Sequence, residues 1–218
     1  MAKTLGLIYT APAIVEPVTK LVSDIMPDVQ KFNIIDDRII PLIVSEGISP
    51  RVQRIVANYV RTAEDEGANA VLVTCSSISP CVETARHLVS IPVMKMDDPM
   101  TDTAIEKGDK IAVIATASAT LGPTAQLLRD KAKARGKAVD VSTELCKGAF
   151  EALHNKDVQT HDRMVLEAIR RNAQTSDVIV LAQASMARIV PQLGDQVSIP
   201  VLTSLKSGIE QVKPVLAV

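Results

Sequence analysis

Of the side chains here that could move a proton or attack a carbon, the thiol of Cys75 has the most suggestive surroundings. It stands in Thr74-Cys75-Ser76-Ser77-Ile78-Ser79-Pro80, directly after the apolar run Ala70-Val71-Leu72-Val73. Ser79 suits a helix N-cap and Pro80 a first helical position, so the thiol is expected in a strand-to-helix turn. Backbone N–H groups and the helix dipole at such a turn favour negative charge, which lowers a thiol's pKa and also holds a carboxylate. Ser76 and Ser77 would add donors for substrate oxygens. A small buried cysteine closing a strand is the competing reading, and the position at a strand's carboxyl end favours the reactive one. Cys81 reads as packing. Cys146, between a strand-like run and Lys147-Gly148, is a second thiol that could also lie near a strand end.

A second constellation lies further along, at Leu181-Ala182-Gln183-Ala184-Ser185-Met186. Gln183 cannot act as a proton-transfer base, but its amide can donate to an oxygen or accept from a donor, with Ala184 and Ser185 as neighbouring oxygen-binding positions. Thr116-Ala117-Ser118-Ala119-Thr120 is a hydroxyl-rich turn in which Thr116 and Ser118 could cradle a carboxylate, or merely cap a helix. Its counterpart nearer the N-terminus is Tyr9-Thr10-Ala11-Pro12, where Thr10 offers the hydroxyl. Asp36 and Asp37 follow another strand-like run, either as site acids or as solvated turn residues. His87, His154 and His161 have no mutual metal-ligand spacing, and none is placed beside Cys75 by sequence. No metal is expected.

These turns must be held by strands, and strand-like runs alternate with helical stretches throughout, the pattern of βαβ units. Strands are expected near 3–9, 31–36, 70–75, 92–95, 110–115, 138–143, 177–182 and 200–203. Helices are expected near 13–26, 49–66, 80–88, 98–107, 120–135, 148–153, 158–174 and 184–193. The segments repeat. SIPVM at Ser90 matches SIPVL at Ser198, and AVLVTCSSI at Ala70 matches VIVLAQASM at Val178, both at an offset of 108. LGLIYTA at Leu5 matches IAVIATA at Ile111, at an offset of 106. A common offset near half the chain predicts an internal duplication: an α/β protein of two pseudo-symmetric lobes, each a short parallel sheet flanked by helices. The first lobe is expected over 1–97 with 206–218 packing on it, the second over 98–205. Ligands of parallel sheets bind beyond the strands' carboxyl ends, so Cys75 and Gln183 are expected to face one small-molecule site.

Composition narrows the function. The 218 residues carry 24 Lys plus Arg against 25 Asp plus Glu, so no strong field exists to draw in nucleic acid or an anionic membrane. Two Phe, two Tyr and no Trp leave few rings for stacking bases. The basic stretch 129–137 reads as a helix end with cations on its dipole. No run reaches transmembrane length, and the N-terminal apolar run reads as a strand without a cleavage site. Three cysteines suggest neither a disulfide framework nor a zinc site. The expectation is a cytoplasmic protein without cofactor, binding a small carboxylate or carbonyl substrate, with self-association into a homo-oligomer left open.

The thiol turn VTCSSIS, the run IPVMKMDDPMTDTAIEKGDKIAVIATASATLGPT and the later VIVLAQASMARIVP together resemble the aspartate/glutamate/hydantoin racemase superfamily over nearly the whole chain. The resemblance implies two α/β lobes, no pyridoxal phosphate or metal, and a substrate held between the lobes. In such racemases a cysteine from each lobe serves opposite faces of the substrate's α-carbon. Cys75 matches the first. Gln183 occupies the position of the second, so inversion lacks its second proton donor. Relatives resembling arylmalonate decarboxylase protonate a carbanion with one cysteine, and those resembling maleate isomerase use one as nucleophile. The resemblance therefore implies proton transfer, isomerisation or decarboxylation at Cys75. A small-anion sensor, in which Cys75 only packs, and a thiol hydrolase are the rival readings.

Overall fold

The computed structural model describes residues 2–218. The elements run β1 (Thr4–Tyr9), α1 (Val15–Ile25), β2 (Gln30–Ile35), α2 (Ile39–Glu46), α3 (Pro50–Asp65), β3 (Ala70–Val73), α4 (Val82–Arg86) and β4 (Val93–Lys95). They continue as α5 (Asp98–Lys107), β5 (Lys110–Ala115), α6 (Ser118–Ala134), β6 (Asp140–Leu145), α7 (Ala149–His154), α8 (Val158–Asn172), β7 (Val178–Leu181) and β8 (Val201–Thr203). The chain closes with α9 (Leu205–Glu210) and α10 (Val212–Leu216).

Two compact units result. One runs to Asp98 and takes in Leu205–Val218; the other is Pro99–Ser204. Each holds a four-stranded, all-parallel sheet, in the order β2-β1-β3-β4 in one and β6-β5-β7-β8 in the other. The duplication extends to the register. Leu5 pairs with Ala70 in the first sheet, and their repeat equivalents Ile111 and Val178 pair in the second. The α/β two-lobe fold class expected from the sequence is the one found.

Ala70–Val73 and Val178–Leu181 are buried at every position, because helices cover both faces of a parallel sheet. In the second unit the alternation is explicit. Ile111, Val113, Val178 and Val180 pack with α5 and α6, whereas Ala112, Ile114, Ile179 and Leu181 pack with α8 and the segment after β7. Of the outer strands, β2 and β6 are only partly buried, whereas β4 is buried at every position. Among the helices, α3 begins where Ser49 accepts a hydrogen bond from Val52 N–H at 3.3 Å, with Pro50 following it. Asp157 does the same for α8, accepting from Thr160 N–H at 3.0 Å.

Several elements depart from the sequence expectation, and the closing helices α9 and α10 were not among the expected ones. Residues 184–193 form a 3-10 segment (Ala184–Gln192) rather than an α-helix, and the expected helix over 80–88 divides into 3-10 Ser76–Cys81 followed by α4. Each segment contains a proline (Pro191 and Pro80) that has no N–H to give to an i−4 carbonyl, and each opens on an i→i+3 bond: Met186 N–H to Gln183 O and Ile78 N–H to Cys75 O. Helix α2 was not expected, because Ile-Ile-Pro-Leu-Ile-Val has no polar face to mark a period. It is the repeat equivalent of α7.

The C-terminal segment packs on the first unit and makes one especially close approach at Gly208. A Cβ on Gly208 would lie 2.6 Å from Met96 Cγ and collide with the Met96 carbonyl oxygen, while Gln211 Nε2 donates to Lys95 O at 2.9 Å. Gly208→Ala is expected to destabilise the protein by about 2 kcal/mol through overpacking at backbone that cannot yield, measured as a lower urea midpoint with the slope unchanged.

Candidate functional site

The expected site residues fall into two sets, one at the carboxyl end of each sheet's central pair of strands. In the first unit the ends of β1 and β3 are tied by Thr74, whose N–H and hydroxyl both donate to Ile8 O, at 3.0 and 2.8 Å. Beyond that tie stand Thr10, buried, and Cys75, half-buried and extended at φ −119° and ψ 121°. Ser76 is half-buried and Ser77 fully buried at the start of the 3-10 segment. Burial separates the three thiols. Cys81 and Cys146 are enclosed, and burial pushes both up to about 11, so they are neutral and inert near neutral pH. Cys75 alone of the three is accessible.

Sequence reasoning missed the support beneath this turn. Ser79 lies between the two oxygens of Asp97, donating to Oδ1 at 2.9 Å with Oδ2 at 3.2 Å, and burial pushes the Asp97 carboxyl up. The signal available was the Asp97-Asp98 pair after β4, a strand end of the same sheet. Nearby, the buried Lys95 ammonium pairs with Glu83 at 2.9 Å and Asp98 at 3.5 Å.

In the second unit the ends of β5 and β7 are joined by Ala182 N–H donating to Ile114 O at 2.9 Å. Gln183 is extended at φ −125° and ψ 131°, the same conformation as Cys75. Its side chain reaches the neighbouring strand's loop. Its Oε1 accepts from Thr116 N–H at 2.6 Å, Thr116 Oγ1 at 2.9 Å and Ala117 N–H at 3.2 Å. Thr116 is buried, Ser118 is exposed as the first residue of α6, and Ala184 and Ser185 are half-buried.

The remaining candidates have other partners. Asp36 is held by Arg38 at 2.8 Å and by the Tyr59 hydroxyl. The Arg38 guanidinium pulls its carboxyl down to about 2, and Tyr59 and the Arg38 N–H pull the same way. The Tyr9 phenol is buried, which pushes it up to about 12 and leaves it protonated at neutral pH. His87 and His154 are exposed, His154 stacking on Phe150. His161 is buried, with Nδ1 2.8 Å from Asp162 Oδ1 and 3.1 Å from an Arg188 nitrogen. Burial draws the Asp162 carboxyl upward, but bonds from Arg188 (2.6 Å), His161 and Gln192 (3.1 Å) outweigh it and hold it below the usual carboxylate range. This cluster fastens the segment that follows Gln183 to α8. Among the described residues no group of three His, Cys, Asp or Glu could hold a metal ion, and no helix is long and apolar enough to cross a membrane.

The family model for Asp/Glu/hydantoin racemases matches residues 10–212, which takes in both strand-end loops. The chain belongs to that family. Solved structures of similar fold include a glutamate racemase isoform from Bacillus anthracis, 17% identical over 99% of this chain and 82% of that one, with a TM-score of 0.75. An allantoin racemase from Klebsiella pneumoniae is 16% identical over 99% of this chain and 88% of that one, with a TM-score of 0.70. A cysteine-bearing mutant of arylmalonate decarboxylase, in a form associated with sulfate ion, is 17% identical over 98% of this chain and 93% of that one, with a TM-score of 0.63. Among curated proteins, none matches the sequence. At these identities the racemase and decarboxylase structures share a fold with this family member.

The Asp36 cluster gives a pH test. A carboxyl lowered from 3.8 to about 2 contributes stability that is fully present above pH 3.8 and lost as pH falls through 2. Asp36→Asn is therefore expected to cost up to about 2 kcal/mol at pH 6, and the gap to wild type should close as urea melts are taken down toward pH 2.

Proposed function

We propose that this member of the Asp/Glu/hydantoin racemase family is a cofactor-independent enzyme of isomerase type. It moves a proton at the carbon beside a carboxylate or carbonyl of a small substrate, and Cys75 gives or takes that proton. The observation that carries the reading is the sorting of the thiols. Two are buried with pKa values pushed up to about 11, while the third stands accessible at the end of a central strand, beside Thr10 and the Ser76-Ser77 turn. In that turn, hydroxyl and N–H donors suit an oxyanion. Donors preorganised where charge develops stabilise an enolate by roughly 3–4 kcal/mol each.

A second reading is favoured by Gln183. An amide neither delivers nor removes a proton at neutral pH, and Cys146 is buried, so the second unit offers no thiol at its strand end. One-sided protonation, as in a single-cysteine decarboxylation or a maleate-isomerase-like reaction, needs only Cys75. Exchange of an α-proton without inversion belongs to the same one-thiol chemistry.

Incubation of small 2-substituted carboxylic acids in deuterated water, followed by mass measurement, tests both. Wild type is expected to incorporate α-deuterium or release carbon dioxide, and Cys75→Ala to lose at least about 100-fold of that rate. Turnover unchanged in the variant overturns the thiol's role. Iodoacetamide is expected to label Cys75 in the native protein, with Cys81 and Cys146 reacting only after unfolding. Labelling of Cys75 no faster than of the buried pair, with the acids left intact, would instead support a small-anion sensor.

A further inference from the structure

Three donors converge on one oxygen in the second unit. Thr116 N–H, Thr116 Oγ1 and Ala117 N–H all point at Gln183 Oε1, at 2.6, 2.9 and 3.2 Å, immediately before the 17-residue helix α6. Two of the three are backbone N–H groups, which can only donate, so the atom they meet is the amide oxygen, and the NH2 of the half-buried Gln183 takes no part in these bonds. Three donors on one oxygen at the start of a long helix is an arrangement that suits a carboxylate. Here it is satisfied by a neutral side chain from a strand end 67 residues away. In the first unit the repeat equivalent of Gln183 is Cys75, whose shorter side chain makes no such bond to the Thr10-Ala11 loop among the described residues.

We propose that Gln183 is a built-in occupant of an oxyanion cradle and sets the specificity of the second unit's strand end. The amide takes the place of a carboxylate oxygen. A ligand reaching this loop meets one neutral N–H2 in place of three converging donors. The loop therefore takes a neutral acceptor, such as a carbonyl, amide or ester oxygen, and discriminates against a carboxylate. Thr116 is then a positioning residue that holds the amide. This rests on the proposed function in taking the protein to bind small carboxyl or carbonyl compounds, and it narrows the group accepted at this loop to a neutral one.

The test uses the full chain, with acetate as the probe and ionic strength held constant with chloride at pH 7. Gln183→Ala empties the cradle, so its melting temperature is expected to rise with acetate along a binding curve, while wild type stays flat. Gln183→Ala combined with Thr116→Val should lose most of that response. An acetate response equal in wild type and Gln183→Ala, or absent from both, overturns the proposal. Gln183→Glu provides a readout if the alanine variant does not fold. With the glutamate carboxyl labelled with carbon-13, its NMR titration should give a pKa at least about one unit below the ordinary 4.3, and a value at or above the ordinary one overturns the cradle. Both readouts can be taken in a Cys75→Ala background. A failure of the thiol chemistry leaves them standing, and their failure leaves the thiol chemistry standing.

Discussion

The ladder between β1 and β3, repeated between β5 and β7, is the interaction on which the placement of the candidate site residues depends. Along its length the central strands are flanked by neighbours and every residue of β3 and β7 is buried, so polar side chains gather where the ladder stops. It stops at equivalent places. Pairing Ile8 with Val73 brings Thr10 beside Cys75, and pairing Ile114 with Leu181 brings Thr116 beside Gln183. Sliding either pair by one residue would turn the core side chains to the wrong face, so the hydrophobic register that stabilises the sheets also fixes which loop residues meet. Thr74, donating twice to Ile8 O, and Ala182, donating to Ile114 O, close the two ladders at that point.

On this conserved backbone the side chains have diverged. Cys75 and Gln183 share an extended conformation at the head of a 3-10 segment, yet one is a thiol that ends short and the other an amide long enough to cross to the neighbouring loop. Burial makes a further distinction, since enclosure keeps Cys81 and Cys146 protonated and leaves one thiol with access. The supports differ as well. A buried serine–carboxyl contact steadies the first turn, whereas an arginine–aspartate–histidine cluster fastens the second.

Much of this was legible in the residues, for definite reasons. The runs AVLV and VIVL announce strands covered on both faces, and the common offset between repeats carries the topology with it, because a copied sequence copies its register. The candidate residues were found by position, at strand ends. What sequence could not supply was direction. Nothing in Leu181-Ala182-Gln183 says that the amide turns back onto Thr116, since that depends on the distance between two strand ends set by the sheet. The Ser79–Asp97 contact was hidden for the same reason: its partners are 18 residues apart and meet only when β4 docks on β3. Helix α2 escaped notice because an apolar run containing Pro41 has no helical period to read, although its copy α7 could have revealed it.

The terminal helices carry a consequence for how the protein is made. By sequence repeat, α5 closes the first half and α9 the second, each following the last strand of its own copy. In the structure Met100, Ala104 and Ile105 of α5 pack into the core of the second unit, while α9 and α10 belong to the first, Gly208 lying on Met96. The two copies have exchanged their last helices, a domain swap carried out within a single chain. A break at the ancestral repeat boundary would leave each piece without its own cover. During synthesis the second unit has all its residues once Ser204 has emerged, whereas the first unit still waits for Leu205–Val218.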